Sequence, residues 1–252
     1  MRIDTYLHLA GYAESRSAAQ RLIREGQVTF DGRPIDRPSF LLPEDAVEKK
    51  DETSSRLTVG APLCPYVGRG GLKLDEALAH FSIDVKGRVA LDVGASTGGF
   101  TDCLISHGAR RVYAVDSGHG QLHETLRTDS RVVSMEGFNA RYMKKTDFPE
   151  DISFSVMDVS FISQTLLHPA LADVLTGDAV LISLIKPQFE VGRDGIGRGG
   201  IVREPSLHQL AKDTVCASME RLGFQTVGVI PSPILGGDGN REFLACFRRI
   251  VH

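Results

Sequence analysis

Leu91-Asp-Val-Gly-Ala-Ser-Thr-Gly-Gly-Phe100 is the stretch that decides how this chain folds. Asp92 comes at the end of a short apolar run, Val89–Val93. Gly94, Gly98 and Gly99 then free the backbone to turn sharply and to approach a ligand closely. Twenty-four residues beyond Asp92, a second apolar run, Arg111-Val-Tyr-Ala-Val115, ends in another acid, Asp116. A strand, a glycine turn, a helix and a second strand ending in a carboxylate form the arrangement that holds a nucleoside by its ribose hydroxyls. The glycines do not have Gly-x-Gly-x-x-Gly spacing, and no Gly-Lys-Ser/Thr follows. No Lys or Arg stands between Asp92 and His107 to meet a pyrophosphate. A nucleoside without phosphates is the better guest, and S-adenosylmethionine fits. A purely structural turn has the same outline; the acid at the second strand end favours the cofactor reading. Asp92, Gly94, Ser96, Gly98, Gly99 and Asp116 are the cradle this reading expects.

Outward from this unit, strands and helices alternate from Tyr66 onward. Runs near 89–93, 111–116, 131–135, 153–158, 179–185, 225–230 and 243–248 are expected as strands with helices between them, an α/β fold with a mostly parallel sheet. The glycine-rich stretches 192–200 and 236–239 are expected as the longest loops. Upstream, two prolines in Gly60-Ala-Pro-Leu-Cys-Pro65 mark an extended linker over 59–65. Residues 1–58 then read as a small α+β module. Ile3, Leu7 and Leu9-Ala10 have helical spacing, with Gly11 as a stop. Ser15 caps a second helix that runs to about Glu25 and is closed by Gly26. Ala18, Ala19, Leu22 and Ile23 share one face of it, while Arg16, Arg21 and Arg24 spread over the other. Gln27-Val-Thr-Phe30, then Asp31-Gly32, reads as a strand entering a hairpin turn, with Arg33 and Arg37 just past it. Glu44–Glu52 is acidic, a loop or edge strand.

Composition narrows the class. With 252 residues, 42% hydrophobic and 24% charged, the chain has the balance of a globular protein. A formal net charge of −3 gives no global attraction to nucleic acid, so any such binding must come from local basic faces. Cys64, Cys103, Cys216 and Cys246 are isolated, with neither a Cys-x-x-Cys pair nor a His partner at ligand spacing. Reduced thiols in a cytoplasmic protein, with no metal site, are expected. Met-Arg-Ile-Asp does not start a signal peptide, and the apolar runs around Ser183 are too short to span a bilayer, so no membrane role is expected. His107, His119, His123, His168 and His208 have no Ser or Cys partner in motif spacing and read as structural or solvent-facing.

Four polar residues stand out against their neighbours. Asp158 ends the apolar run Phe154–Met157, and Lys186 directly follows Val180–Ile185. Strand carboxyl ends line the ligand crevice of an open parallel sheet, so both should project there. Lys73 sits on a helix ahead of the first strand of the sheet, within Gly68-Arg-Gly-Gly-Leu-Lys73. Glu242 opens the last strand, after Gly237-Asp-Gly-Asn-Arg241. Any one of these alone reads as a solvated element end. As a set, Lys73, Asp158, Lys186 and Glu242 resemble the Lys-Asp-Lys-Glu order of the FtsJ-like ribose 2′-O-methyltransferases. The first module resembles the S4 RNA-binding domain, on Arg2, Asp4, Ser15-Arg16, Ala19, Leu22-Ile23, Gly26, Val28 and Gly32. The combination is similar to the TlyA family of rRNA methyltransferases, often labelled haemolysins. Tyr66–Leu74, Met157–Ser163, Ile185–Glu190, Gly199–Arg203 and Gly239–Phe243 carry the similarity over almost the whole chain. The linker departs from it, since Cys64-Pro-Tyr66 replaces the aromatic-rich stretch of some members.

The resemblance implies a Rossmann-like, seven-stranded class I methyltransferase domain over 66–252 behind an S4-like domain. It implies catalytic roles for Lys73, Asp158, Lys186 and Glu242. Gly98 and Phe100 would lie against the methionine part of S-adenosylmethionine, Asp116 on its ribose, Asn139 near its adenine and Asp158 near its amino group or reactive end. Arg2, Arg16, Arg21, Arg24 and Arg33 would contact RNA phosphates, with Arg69 also on the RNA. By its residues, the Gly192–Gly200 loop, with Arg193, Arg198 and then Arg203, reads equally as a segment that closes over RNA near the active site and as a disordered surface loop. A ribose hydroxyl is a poor nucleophile until its proton leaves. Lys186 is the best general base, provided that Lys73 and desolvation favour its neutral form; Asp158 and Glu242 oppose that and are read as orienting groups. The alternative has the tetrad steer the hydroxyl while water takes the proton. The implied partner is ribosomal RNA or a ribosomal subunit, and the shorter members are associated with a large-subunit target only. The rivals are a non-catalytic RNA-binding assembly factor and a membrane-lysing haemolysin. The intact tetrad opposes the first; the lack of a spanning segment or basic amphipathic helix opposes the second. Base methylation would call for an Asn-Pro-Pro-Tyr-like or cysteine-based site where this chain has Asp158-Val-Ser-Phe161.

Overall fold

The computed structural model of the chain describes residues 1–13, 15–43, 56–60, 64–192 and 195–250, and of Arg198 only the backbone. It divides into two compact units, Met1–Pro65 and Tyr66–His252. No helix among the described residues is long and apolar enough to cross a membrane.

In the first unit, helices α1 (Ile3–Leu9) and α2 (Arg16–Arg24) share a core with a three-stranded sheet of β1 (Val28–Phe30), β2 (Arg33–Pro34) and β3 (Leu57–Val59). Ser15 Oγ accepts the Ala18 N–H at 3.1 Å and so starts α2. Ala19, Leu22 and Ile23 are the face it buries. Asp31 (φ +51°) and Gly32 (φ +72°) make the two-residue turn that pairs Phe30 with Arg33. β3 pairs with β1 along Val28–Phe30, so the module does not end at residue 58; Val59 still belongs to its sheet. The acidic stretch 44–52 and linker positions 61–63 lie outside the described residues.

Asp4 ties this unit together. Its wholly buried carboxylate accepts from Arg2 Nε at 3.0 Å, Arg16 at 3.2 Å and Gln20 Nε2 at 2.9 Å, fastening the start of α1 to α2. The Arg2 guanidinium, bound through two nitrogens, holds the carboxyl well below the usual carboxylate range.

The second unit is a doubly wound sheet. Its strands are β4 (Val89–Val93), β5 (Arg111–Asp116), β6 (Val132–Glu136), β7 (Ile152–Met157), β8 (Leu175–Ile185), β9 (Phe224–Pro231) and β10 (Phe243–Arg249). Their order is β6-β5-β4-β7-β8-β10-β9, with β10 antiparallel to both neighbours and the other pairs parallel. Helices α3 (Gly70–His80), α4 (Gly99–Ser106), α5 (Glu124–Arg127), α6 (His168–Val174), α7 (Pro187–Glu190) and α8 (Pro205–Glu220) accompany it. β4 is buried along its entire length, which explains why Val89–Val93 reads as an unbroken apolar run apart from Asp92.

Because the folded-state pKa of Asp4 is depressed, the stability it contributes is full above about pH 4 and is lost as the pH falls through the lowered value. Asp4→Asn should therefore lower the thermal midpoint of the N-terminal unit at pH 7 by roughly 5 °C, a deficit that shrinks toward pH 2. Calorimetry at a series of pH values checks this, and a deficit independent of pH would refute the assignment.

Candidate active site

Four strand ends build the site. Val93 pairs with Met157 and Met157 with Ser183, so β4, β7 and β8 bring their carboxyl ends to one edge. Gly94, Asp158 and Lys186 are the residues that leave the sheet there. β10 runs the other way and pairs Phe243 with Ile185, so Glu242 enters the sheet at this same edge, beside Lys186. The connections turn to opposite sides at β4, the switch point where an open α/β sheet parts to admit a ligand.

Lys186 Nζ stands 2.6 Å from Asp158 Oδ1 and donates to Ser160 Oγ at 2.7 Å. Lys73 Nζ donates to Glu242 Oε2 at 2.5 Å, and both of these side chains are nearly buried. The four residues singled out from the sequence thus form two ion pairs. Helix α3 spans from one pair to the other. A Cβ on its first residue, Gly70, would come 3.9 Å from Asp158 Oδ2, and Lys73 follows within the same turn. Each ammonium faces a carboxylate, so the second cation expected to act on Lys186 is itself neutralised by Glu242.

Two adjoining cavities open at this edge. The larger, about 470 Å³, is lined by Gly94, Ser96, Asp116, Gln121, Phe138, Asn139 and the segment 158–162. The smaller, about 190 Å³, shares Gly94, Ser96, Asp158 and Ser160 and adds Arg69, Thr97, Gly99, Phe100 and Lys186. Asp116 is held rigidly, accepting the Ser96 N–H at 2.8 Å and the Gly118 N–H at 2.7 Å. The first of these bonds keeps Ser96 in the left-handed region at φ +48°. The next acid along, Glu136 at the end of β6, accepts three backbone N–H groups from Gly120, Gln121 and Leu122 at 2.9, 2.6 and 3.0 Å. Those donors hold its carboxyl below the usual range and fix the loop that presents Gln121 to the cavity. Asn139 is exposed at the rim, its Oδ1 accepting the Arg141 N–H at 3.0 Å.

Two of the expected cofactor contacts line neither cavity. Asp92 lines neither cavity; it is fully buried behind the turn and accepts Thr101 Oγ1 of α4 at 2.6 Å. Burial pushes its carboxyl up to about 7. Gly98 is also turned inward. A Cβ there would strike Leu126 Cδ1 at 2.3 Å and Leu122 Cδ1 at 2.9 Å, so its glycine answers to packing. Arg2 and Arg16 are partly committed to Asp4, Arg24 donates to Gln20 at 3.4 Å, and Arg21 is half-buried. Arg33 on the hairpin, Arg69 at the smaller cavity and Arg203 are exposed. Arg193 and the Arg198 side chain lie outside the described residues.

Some features were not singled out from the sequence. Phe161 is 93% exposed, holds φ +66° and lines the larger cavity. Cys103 does have a histidine neighbour. Cys103 and His107, one turn apart at the end of α4, bring ligand-type atoms within 4.8 Å of each other and of Asp75 on α3. Their spacing of four on a helix was the available signal. His168 and His208 are structural: His168 meets Ser218 Oγ at 2.8 Å and is pushed down to about 4 by burial, and His208 bonds the Val202 carbonyl at 2.9 Å.

A family model for FtsJ-like methyltransferases matches residues 66–249, and one for the S4 domain matches residues 1–47. The 16S/23S rRNA (cytidine-2′-O)-methyltransferase TlyA of Mycobacterium tuberculosis is 40% identical over 247 residues, 98% of this chain and 89% of that protein. Hemolysin A of Brachyspira hyodysenteriae is 42% identical over 248 residues, 98% of this chain and 99% of that one. Among solved structures, a Streptococcus thermophilus chain described as a hemolysin superposes with a TM-score of 0.75 at 43% identity, over 99% of this chain and 88% of that one. An S-adenosylmethionine dependent methyltransferase from Listeria monocytogenes shares the fold alone, at a TM-score of 0.54 and 15% identity over 73% of this chain and 100% of that one. On this extent of identity the chain belongs to the FtsJ-like methyltransferases, as a TlyA-type member that carries an S4 domain in front.

Proposed function

We propose that this chain is a cytoplasmic enzyme that methylates the ribose 2′-hydroxyl of a cytidine in ribosomal RNA, with S-adenosylmethionine as methyl donor. The observation that carries the reading is the Asp158–Lys186 pair in the wall where the two cavities meet. The larger cavity suits a nucleoside. Asp116 is pinned by two N–H groups yet keeps lone pairs for ribose hydroxyls, Phe138 offers an apolar wall, and Asn139 offers an amide at the rim. No Lys or Arg among the described residues lines it, in keeping with a guest that carries no phosphate.

Bound there, S-adenosylmethionine supplies a sulfonium methyl that needs only in-line attack. Lys186, after its ammonium has given up a proton to water, has the task of taking the ribose proton, while Asp158 and Ser160 fix its Nζ at the shared wall. Lys73 and Glu242 brace the neighbouring strand end. Phe161 presents a bare ring at the mouth, on which a base turned out of its helix can stack. The residues up to Val59 act as a tether, with Arg24 and Arg33 meeting phosphates. The naming of the M. tuberculosis relative supports ribosomal RNA and cytidine as the target.

Lys186→Ala should cut methyl transfer to rRNA by at least about 100-fold while leaving the dissociation constant for S-adenosylmethionine within about threefold. Radiolabelled methyl incorporation and calorimetry report the two quantities, and a variant with wild-type turnover would remove the role given to Lys186. Glu136→Gln, which weakens three backbone bonds to the loop carrying Gln121, should raise the cofactor dissociation constant about tenfold, or about 1.4 kcal/mol. Unchanged affinity in that variant would mean that the loop does not grip the cofactor.

A further inference from the structure

The loop that carries Asp158, Ser160 and Phe161 is held at a second point, away from Lys186. Glu190 ends α7, the single helical turn that begins immediately after Lys186. Its Oε2 accepts the Ser163 hydroxyl at 2.6 Å and its Oε1 accepts the Gln164 N–H at 3.0 Å. One residue earlier on the same turn, the Phe189 ring lies 5.5 Å from the Phe161 ring, centroid to centroid. Gln164, almost fully buried, donates its amide to the Leu184 carbonyl at 3.2 Å and accepts from Ser183 Oγ, which fixes the loop's far end to β8. The loop is therefore gripped at 158–160 by Lys186 and at 163–164 by Glu190, and the exposed, left-handed Phe161 is the residue between the grips.

We infer that Glu190 is a positioning residue for methyl transfer: its carboxylate clamps the 158–164 loop so that Asp158 and Ser160 meet Lys186 and Phe161 is held out over the cavity. Three features support a clamp over a chance surface contact. The carboxylate is half-buried, and burial pushes its carboxyl up, so the fold bears a desolvation cost to keep it there. Both of its oxygens are used, on a side chain and a backbone donor that adjoin in the loop. An α7 of four residues cannot rearrange independently of Lys186, because the Phe189 N–H bonds the Lys186 carbonyl at 3.0 Å and Pro187 fixes the first helical φ. An exposed aromatic side chain at φ +66° is disfavoured in isolation, so something outside the residue must hold it.

The inference rests on the proposed methyl transfer, and the test separates the two. The chain has no tryptophan, so Phe161→Trp installs a single fluorescent reporter at an exposed position. Adding Glu190→Ala to it should increase the fast local motion of the indole in time-resolved anisotropy, and Glu190→Gln, which can still accept one of the two bonds, should give an intermediate value. In the Phe161 background, Glu190→Ala should lower kcat for rRNA methylation at least tenfold, while calorimetric affinity for S-adenosylmethionine changes less than twofold and Glu190→Gln recovers part of the rate. Loss of rate in proportion to loss of cofactor-binding sites would mark Glu190 as a general stabiliser and overturn the inference, as would an indole no more mobile without Glu190. Should Glu190→Ala fail to fold, Glu190→Gln alone decides by the same two readouts. If the wild-type chain methylates no rRNA, the functional reading falls, and the anisotropy series still judges the clamp.

Discussion

A close passage between two backbones governs the site. Where β4 leaves the sheet at Gly94, the chain runs so near β7 that a Cβ would fall 2.3 Å from the Asp158 carbonyl oxygen. Only a residue without a side chain, and at ease at φ +87°, can pass. The passage lets Gly94 wall both cavities at once. It also leaves the Asp158 N–H bonded to the Val93 carbonyl at 2.9 Å, which sets the direction in which the loop departs toward Lys186. With β8 in register beside β7, and β10 entering antiparallel at Ile185, the two acids and two lysines converge as a consequence of backbone geometry.

Charge balance then decides what this convergence can do. Two ammonium groups and two carboxylates pair off, so these four residues add no net formal charge to the sheet edge. The Lys73–Glu242 pair is nearly buried, and a buried pair contributes little net stability once both ions are desolvated, whereas losing one partner strands a charge at a cost of about 3–5 kcal/mol. A fold selected for stability alone gains nothing from it over apolar side chains of similar size. Asp92 adjusts the same balance from beneath. Desolvation first, with the Asp158 and Asp116 carboxylates adding to it, raises its carboxyl to about 7, so this third acid near the glycine turn is often uncharged at neutral pH. Its Thr101 bond fastens α4 to β4 without adding full negative charge to the crevice.

What the sequence disclosed follows from which constraints are local. The glycine turn, the acids closing β4 and β5, and the polar residues ending β7 and β8 sit at element boundaries that hydrophobic patterning marks clearly. The places of Asp116, Asp158 and Lys186 at the cavity walls were legible for that reason. Asp92 and Gly98 were read toward the cofactor because a run of glycines and an acid looks the same whether it faces a ligand or a helix; in the structure Asp92 meets Thr101 and a Cβ on Gly98 would meet Leu122 and Leu126, which come from other elements. Glu136 and Glu190 escaped notice because an acid at the end of a strand or helix is commonly solvated. Their importance appears only when the backbone donors of Gly120–Leu122 and Gln164 are folded against them. Asp4 is similar: its resemblance to the S4 pattern was visible, but its hold on Arg2 and Arg16 was not. That hold qualifies the expectation that all the N-terminal arginines face RNA, since part of each guanidinium is already engaged.

The two sides of β4 divide the work that the proposed reaction requires. Toward β5 and β6, Asp116 and Glu136 are both pinned by backbone N–H donors, so that wall is rigid and suited to a ligand whose binding must be the same in every turnover. Toward β7, β8 and β10, the contacts are ion pairs and hydroxyl bonds between side chains, which can exchange partners as a proton moves. In the proposed reaction, a cofactor against acids that backbone amides hold still and a proton handled by side chains are different physical demands, and placing them on opposite sides of one glycine keeps either from disturbing the other. The net charge of −3 extends the division to the proposed RNA substrate: with no global attraction, its approach would depend on local arginines such as Arg33, Arg69 and Arg203, which lie outside both ion pairs. On the proposed reading, grip on the RNA and chemistry at its ribose would draw on separate charges, and salt that weakened the first would leave the second, at the strand ends, largely as it was.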